Sequence, residues 1–326
     1  MDGGRLWLSV QHLRAFAALA VVLFHVLQWA RIPFETGQAG VDVFFVISGF
    51  VMWTTTAGRP ARPGRFLVRR LIRVAPLYWL VTLALAAAVV AFPARFPDLS
   101  AEPRHLLLSM AFVQHYNPAG VPFPLLAPGW TLNYEAVFYL VFAAGLFLPE
   151  ERRLFAVTFA LLVLALAGFF WPPFYILLLN PLFLEFLAGV WIARLAQLRF
   201  LPERGVGWFL FGGALMLFTL IQLLNRDWDL WRPLIWGAPA VLLVLGAVSV
   251  EADGGWGSLP GLKTLGDASY SIYLVHTLPV GALAVVFGVW NLPAFAPLAT
   301  ALAVAAGLAC WRLLERPLVG TLRRLA

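Results

Sequence analysis

Residues 8–30 read LSVQHLRAFAALAVVLFHVLQWA, an unbroken apolar run that carries two ionisable side chains of interest, Arg14 and His25. A hydrocarbon core of about 30 Å takes roughly 20 apolar residues of α-helix, so the run reads as a membrane helix. Arg14 and His25 stand eleven positions apart, close to three turns at about 3.6 residues per turn, so both project from one face. Ionisable groups are costly in hydrocarbon, and that face must turn toward protein or a cavity. It is the first candidate for an active site. The same residues also fit a plainer pattern, with Arg14 marking the inner end of the helix and His25 satisfied between packed helices.

Composition agrees with the first helix. The 326 residues are 62% hydrophobic and only 12% charged, with a mean hydropathy of +0.85, too few polar groups to cover a soluble globule. A net charge of +7 would suit nucleic acid, but the basic residues lie in short gaps between apolar runs, without the aromatic-interleaved stripe that nucleic acid calls for. The single cysteine, Cys310, excludes an internal disulfide, and the five histidines show no metal-ligand spacing, so no metal is implied. The first apolar run has no small-residue cleavage site, which reads as a retained helix and not a removed signal peptide.

Measured against a 20-residue ruler, the chain offers ten spans, at about 8–30, 39–57, 72–92, 129–148, 153–171, 174–195, 206–224, 234–250, 265–290 and 294–314. Residues 104–116 are too short to cross and read as a half-buried or surface helix. With the N-terminus inside, 18 of the 23 Lys and Arg fall on inner segments; Arg31, Arg95, Arg104, Arg226 and Arg232 fall outside. That asymmetry is the one expected for cytoplasmic N- and C-termini. The fold class is therefore an all-α integral membrane protein of about ten transmembrane helices. With no repeat or low-complexity tract, residues 1–326 read as a single multi-pass domain with no appended soluble domain. The connection at 93–128, rich in proline, is long enough to be functional or helix-containing.

Four further stretches carry polar groups into apolar surroundings. GQAGVDVFFVISGF, residues 37–50, places Asp42 at the outer end of the second span, where it fits a helix N-cap or a group returned close to His25. PGWTLNYEAVFYL, residues 128–140, sinks Glu135 about two turns into the fourth span with no basic residue near it in that helix, a functional-site signal for a membrane carboxylate. His25, Asp42 and Glu135 thus read as one layer. RFLVRRLIRVAPLYW, residues 65–79, brings Arg65, Arg69, Arg70 and Arg73 to the inner edge, as positive-inside anchors or as bidentate donors for a phosphate-bearing ligand. In LGDASYSIYLVH, residues 265–276, Ser269, Tyr273 and His276 share a helical face that reads as a polar seam between helices. Glu185 is a buried carboxylate with no evident partner, and His12, His105 and His115 near the interfaces have no assigned role.

Taken together, LRAFAALAVVLFH, GVDVFFVISGF, the RRLIR run before APLYW, WTLNYEAVFYL, SYSIYLVH and the closing LERPL at 314–318 resemble the acyltransferase 3 family of multi-pass bacterial membrane proteins. The wording QHLRA and GQAGVDVFFVISGFVMW is similar to the ExoZ-type branch that acylates exopolysaccharide. The resemblance implies an inner-membrane O-acyltransferase that moves an acyl group, usually acetyl, from acyl-CoA to a hydroxyl of a sugar or lipid-linked glycan. Other glycan-assembly proteins would be partners. It also makes Arg14 and His25 essential and puts Arg70 and Arg73 at the donor site, with no metal.

On that basis the cytoplasmic arginines would hold the CoA phosphates, and the pantetheine arm would run along the first span to His25, about 16 Å further in. A neutral imidazole suits proton abstraction from the acceptor hydroxyl near neutral pH, with Asp42 or Glu135 steadying the ring. Alternatively His25 is itself acylated and passes the group on. Two rival classes fit buried His, Arg and carboxylate side chains: a polytopic transporter, whose repeated halves and broken helices are not evident here, and a glycan flippase or polymerase, which needs more large outer loops than the single one at 93–128.

Overall fold

The computed structural model describes residues 6–59, 62–170, 180–224, 232–287 and 292–325, and every regular element among them is helical. In chain order the helices are α1 (Leu8–Trp29), α2 (Ala39–Thr56), α3 (Pro63–Ala91), α4 (Pro103–Met110), α5 (Trp130–Gly145), α6 (Glu150–Phe170), α7 (Phe183–Leu198), α8 (Arg204–Leu224), α9 (Ala238–Ala252), α10 (Pro260–Asp267), α11 (Ser269–Val275), α12 (Thr277–Phe287), α13 (Leu292–Cys310) and α14 (Arg316–Leu325). Single π-helical turns at Pro233–Gly237 and Trp311–Glu315 lead into α9 and α14.

Among the described residues, seven helical stretches are long and apolar enough to cross a membrane, which makes this a multi-pass membrane protein. They are Leu8–Trp29, Glu35–Thr56, Pro63–Ala91, Arg204–Leu224, Pro233–Ala252, Ser269–Val286 and Ala294–Leu325. Of the other expected spans, 129–148 appears as α5, of 16 residues, while 153–171 and 174–195 reach into residues outside those described. The third helix starts at Pro63, well before residue 72, because proline is pre-organised for a first helical turn and the arginines that follow are good helix formers. The arginine run therefore lies on the helix itself. The stretch 265–290 is not one helix; it breaks at Ala268 and again at His276. Pro279 accounts for the second break, since it has no N–H for the carbonyl four residues back and its ring crowds that carbonyl.

The chain divides into two compact units, Met1–Arg59 with Leu184–Ala309, and Pro60–Phe183 with Cys310–Ala326. In the first, α1 packs against α2, α9, α10, α11 and α12 and is the central element. Its first turn has no local cap. Glu251, at the end of α9, supplies one: its two carboxylate oxygens accept from the backbone N–H groups of Leu8 at 2.9 Å and Ser9 at 2.7 Å. A carboxylate there meets both the orphan donors and the positive end of the helix dipole. Helices α2 and α7 cross at two glycines: a Cβ on Gly49 would strike the Phe186 carbonyl and a Cβ on Gly189 the Val46 carbonyl. Small residues on both sides let the backbones touch, the usual route to tight packing where lipid removes the hydrophobic drive.

In the second unit α3 packs against α4, α5 and α14. The open carbonyls at the end of the short α4 are taken up by aromatic donors of α3: the Tyr78 hydroxyl donates to Ser109 O at 3.1 Å and the Trp79 indole to Met110 O at 2.7 Å. The expected surface helix within 104–116 is thus α4, fastened at its C-terminal end to a membrane helix.

Candidate active site

The face of α1 that carries Arg14 and His25 turns onto α11 and the break that follows it. Arg14 Nε donates to the Ser269 hydroxyl at 3.2 Å, and His25 Nδ1 lies 3.1 Å from His276 Nε2. Ser269 and His276 are fully buried, and the two imidazole rings stand 4.8 Å apart between centroids. Ser269 to His276 is about 10 Å of helix rise and Arg14 to His25 about 16 Å; the reach of the arginine side chain takes up the difference.

Acceptor-only neighbours fix the protons of this pair. His25 Nδ1 is 2.9 Å from the Val21 carbonyl, and His276 Nδ1 is 2.6 Å from the Tyr273 carbonyl. A carbonyl cannot donate, so both Nδ1 atoms carry hydrogen. In the neutral rings both Nε2 atoms are then lone-pair nitrogens. That of His276 accepts a share of the His25 Nδ1 hydrogen, and that of His25 is left as the basic atom of the pair. The arrangement resembles the use of an orienting acceptor behind a catalytic histidine, with a backbone carbonyl and a second imidazole where a carboxylate often stands. Beside the ring, Phe24 packs edge-on at 4.9 Å, and Phe24, Gln28, Arg31 and Glu35 line an open cleft at the end of α1.

Asp42 belongs to a different cluster of the same unit. It is completely buried, and its Oδ2 accepts from Arg232 Nη2 at 2.7 Å, while Arg232 also donates to the Gln38 side chain at 2.6 Å. Glu185, 2% exposed, stands within electrostatic reach of Asp42 and Arg232, the neighbours its sequence context did not name. One guanidinium is ion-paired to Asp42 and lies within electrostatic reach of the second carboxyl group, Glu185. The hydrogen-bond partners of the His25 ring are Val21 and His276, and Asp42 is not among them. The guanidinium gives a buried carboxylate a full counter-charge, which a neutral imidazole cannot.

The second unit holds Arg70, Arg73 and Glu135. Glu135 accepts a short hydrogen bond from the Tyr139 hydroxyl one turn along α5. Arg70 stands within electrostatic reach of both, with its guanidinium carbon 5.5 Å from the centre of the Phe66 ring. The absence of a basic residue within its own helix is therefore met from α3. Arg73 forms an ion pair with the buried Glu315, in the π-helical turn before α14. The structure thus brings Arg14 together with Ser269, His25 with His276, and Glu135 with Tyr139 and Arg70, each within its own unit.

The Acyl_transf_3 family, described as an acyltransferase domain, matches residues 7–312, which takes in every residue of these clusters except Glu315. The chain belongs to the acyltransferase 3 family. Among relatives within this acyltransferase family, the exopolysaccharide production protein ExoZ of Rhizobium meliloti (strain 1021) is 40% identical over 91% of this chain and 94% of its own. The putative membrane-bound transacylase BcsY of Komagataeibacter xylinus is 28% identical over 82% of this chain and 71% of its own. The putative peptidoglycan O-acetyltransferase YrhL of Bacillus subtilis (strain 168) is 30% identical over 48% of this chain and 26% of its own. No solved structure matches.

Sequence reasoning singled out Arg14 and His25 but set His276 in a polar seam. The seam exists, and its two ends hold the two site residues. The signal was present in the i, i+7 spacing of Ser269 and His276 on one helical face, close to the register of Arg14 and His25. Arg232, Tyr139 and Glu315 had no comparable signal, because each reaches its partner through a fold that periodicity does not specify.

Proposed function

We propose that this acyltransferase uses an acyl-CoA, most simply acetyl-CoA, to O-acylate a sugar hydroxyl of an exopolysaccharide or related surface glycan at the inner membrane. Residues 1–326 would act as one catalytic body, with about ten spans and both termini cytoplasmic. The observation that carries the reading is the proton inventory of His25: its Nδ1 hydrogen is fixed by Val21 and His276, and its Nε2 lone pair remains for chemistry. Family membership and the 40% identity to an exopolysaccharide production protein support the acyl-transfer class and the glycan acceptor.

In the proposed step His25 Nε2 takes the proton of the acceptor hydroxyl as its oxygen attacks the thioester carbonyl. The carbon–sulfur bond breaks, and the imidazolium returns the proton to the leaving thiolate, so an ester and free CoA result. The mixed aromatic and polar cleft beside His25 suits a sugar ring. Arg14 adds positive charge along the same face, Arg70 and its neighbours take donor phosphates, and Glu135 with Tyr139 holds the Arg70 side chain in place.

Purified protein in nanodiscs, given acetyl-CoA labelled in the acetyl group and a glycan acceptor, tests this. The account expects base-labile label on the glycan from wild type and none above background from His25→Ala. Undiminished labelling by His25→Ala would remove the ring from the reaction. A label trapped on His25 without acceptor would replace the direct transfer with two steps through an acyl-histidine.

A further inference from the structure

The arginines of the second unit divide into two groups with different surroundings. Arg73 is engaged by Glu315, and that ion pair fastens the chain segment leading into α14 against α3. With α14 packed on α3, Arg323 comes within electrostatic reach of Arg70, and so does Arg69. Among the described residues neither Arg69 nor Arg323 has a carboxylate at ion-pair distance. Arg70 Nε is buried without a hydrogen-bond partner.

Three guanidinium groups therefore converge from two helices, against one carboxylate, Glu135, which already accepts from Tyr139. Like charges gathered in this way repel, and two positive charges remain uncompensated. Guanidinium groups match phosphate oxygens bidentately and stay charged at any working pH. An anion of two or more charges would satisfy the cluster.

We propose that Arg323, on the C-terminal helix, joins Arg69 and Arg70 in binding the phosphates of the acyl donor, while Arg73 holds that helix in position through Glu315. The proposal rests on the acyl-CoA reading above and adds to it a binding residue from α14. It also separates Arg73 from Arg70, a division the run RRLIR does not show. Anionic lipid headgroups present the same phosphate chemistry. The donor is the better fit because Arg70, the centre of the cluster, lies against the Phe66 ring with its Nε buried, and is not fully displayed on the helix exterior.

The test is the affinity of CoA for the full-length protein in nanodiscs of neutral phosphatidylcholine, with melting temperatures to verify folding. Arg323→Gln is expected to weaken CoA about fivefold, the loss of one partly screened charge-assisted contact. Arg323→Lys is expected to recover part of the affinity, and Arg324→Gln to leave it unchanged. Unchanged affinity in Arg323→Gln overturns the proposal, and if that variant also co-purifies from the cell membrane with less phosphatidylglycerol than wild type, the arginine is a lipid anchor instead. If wild type itself binds no CoA, the donor reading falls along with the proposal. That failure is distinct from one confined to the variant.

Discussion

Replacing His276 by alanine removes the acceptor that shares the His25 Nδ1 hydrogen at 3.1 Å while leaving the Val21 carbonyl at 2.9 Å in place. One of two restraints on the ring is lost. A net intramolecular hydrogen bond is worth about 1 kcal/mol, and about 1.4 kcal/mol corresponds to tenfold in rate, so kcat should fall about five- to tenfold. Loss of the proposed base itself, in His25→Gln, should cost on the order of 10²- to 10⁴-fold. Because His276 acts through His25 and not on the donor, the KM for acyl-CoA should not change. Glutamine at 276 carries an amide oxygen able to accept the same hydrogen and should restore much of the lost rate, whereas leucine, of similar bulk, should not. The assay is initial-rate acetyl transfer in nanodiscs over a range of acetyl-CoA concentrations, with melting temperatures run alongside. Equal kcat in His276→Ala and wild type would refute the positioning role, and so would equal rates for glutamine and leucine.

Three other outcomes follow from the packing. Arg232→Ala leaves Asp42 and Glu185 buried without their cation and should destabilise the protein by about 3–5 kcal/mol, read as a large fall in the melting temperature in detergent; Asp42→Asn combined with it should recover part of the loss. Gly189→Val puts side-chain atoms against the Val46 carbonyl at the α2–α7 crossing and should cost about 1–3 kcal/mol or more by the same measure, whereas Gly205→Val, with open space around it, should be far milder. His105 donates from Nδ1 to His115 Nε2 at 2.7 Å, and burial, with His115 as a further cause, holds it below the ordinary imidazole value of 6.5. A base depressed by folding contributes stability that is complete above 6.5 and is lost as pH falls below it, so the melting temperature should drop on acidification from pH 7 to pH 5. That drop should be smaller in His105→Asn.

The sequence carried the helices and the first site face because both follow from local rules. An apolar run of about 20 residues has few alternatives to a membrane helix, and an eleven-residue spacing fixes a shared face on any α-helix. Tertiary placement was less accessible. Asp42 at the outer end of α2 is as well placed in the sequence to meet His25 as to meet Arg232, and only the fold selects the guanidinium. Glu135 looked isolated because its helix has no basic residue; Tyr139, in that same helix, and Arg70, in α3, are its neighbours. The arginine run illustrates the same limit from the other side: RRLIR presents Arg70 and Arg73 as equivalents, and the structure gives one to Glu315 and the other to Tyr139 and Glu135.

The claim on which the account turns is that His25 bears its hydrogen on Nδ1 and keeps the lone pair on Nε2. Solid-state NMR of ¹⁵N-histidine-labelled protein in nanodiscs near neutral pH reads this directly, with the His25 signals assigned by their loss in His25→Gln. The account predicts a protonated Nδ1 and an unprotonated Nε2; a ring protonated on Nε2 alone would contradict it.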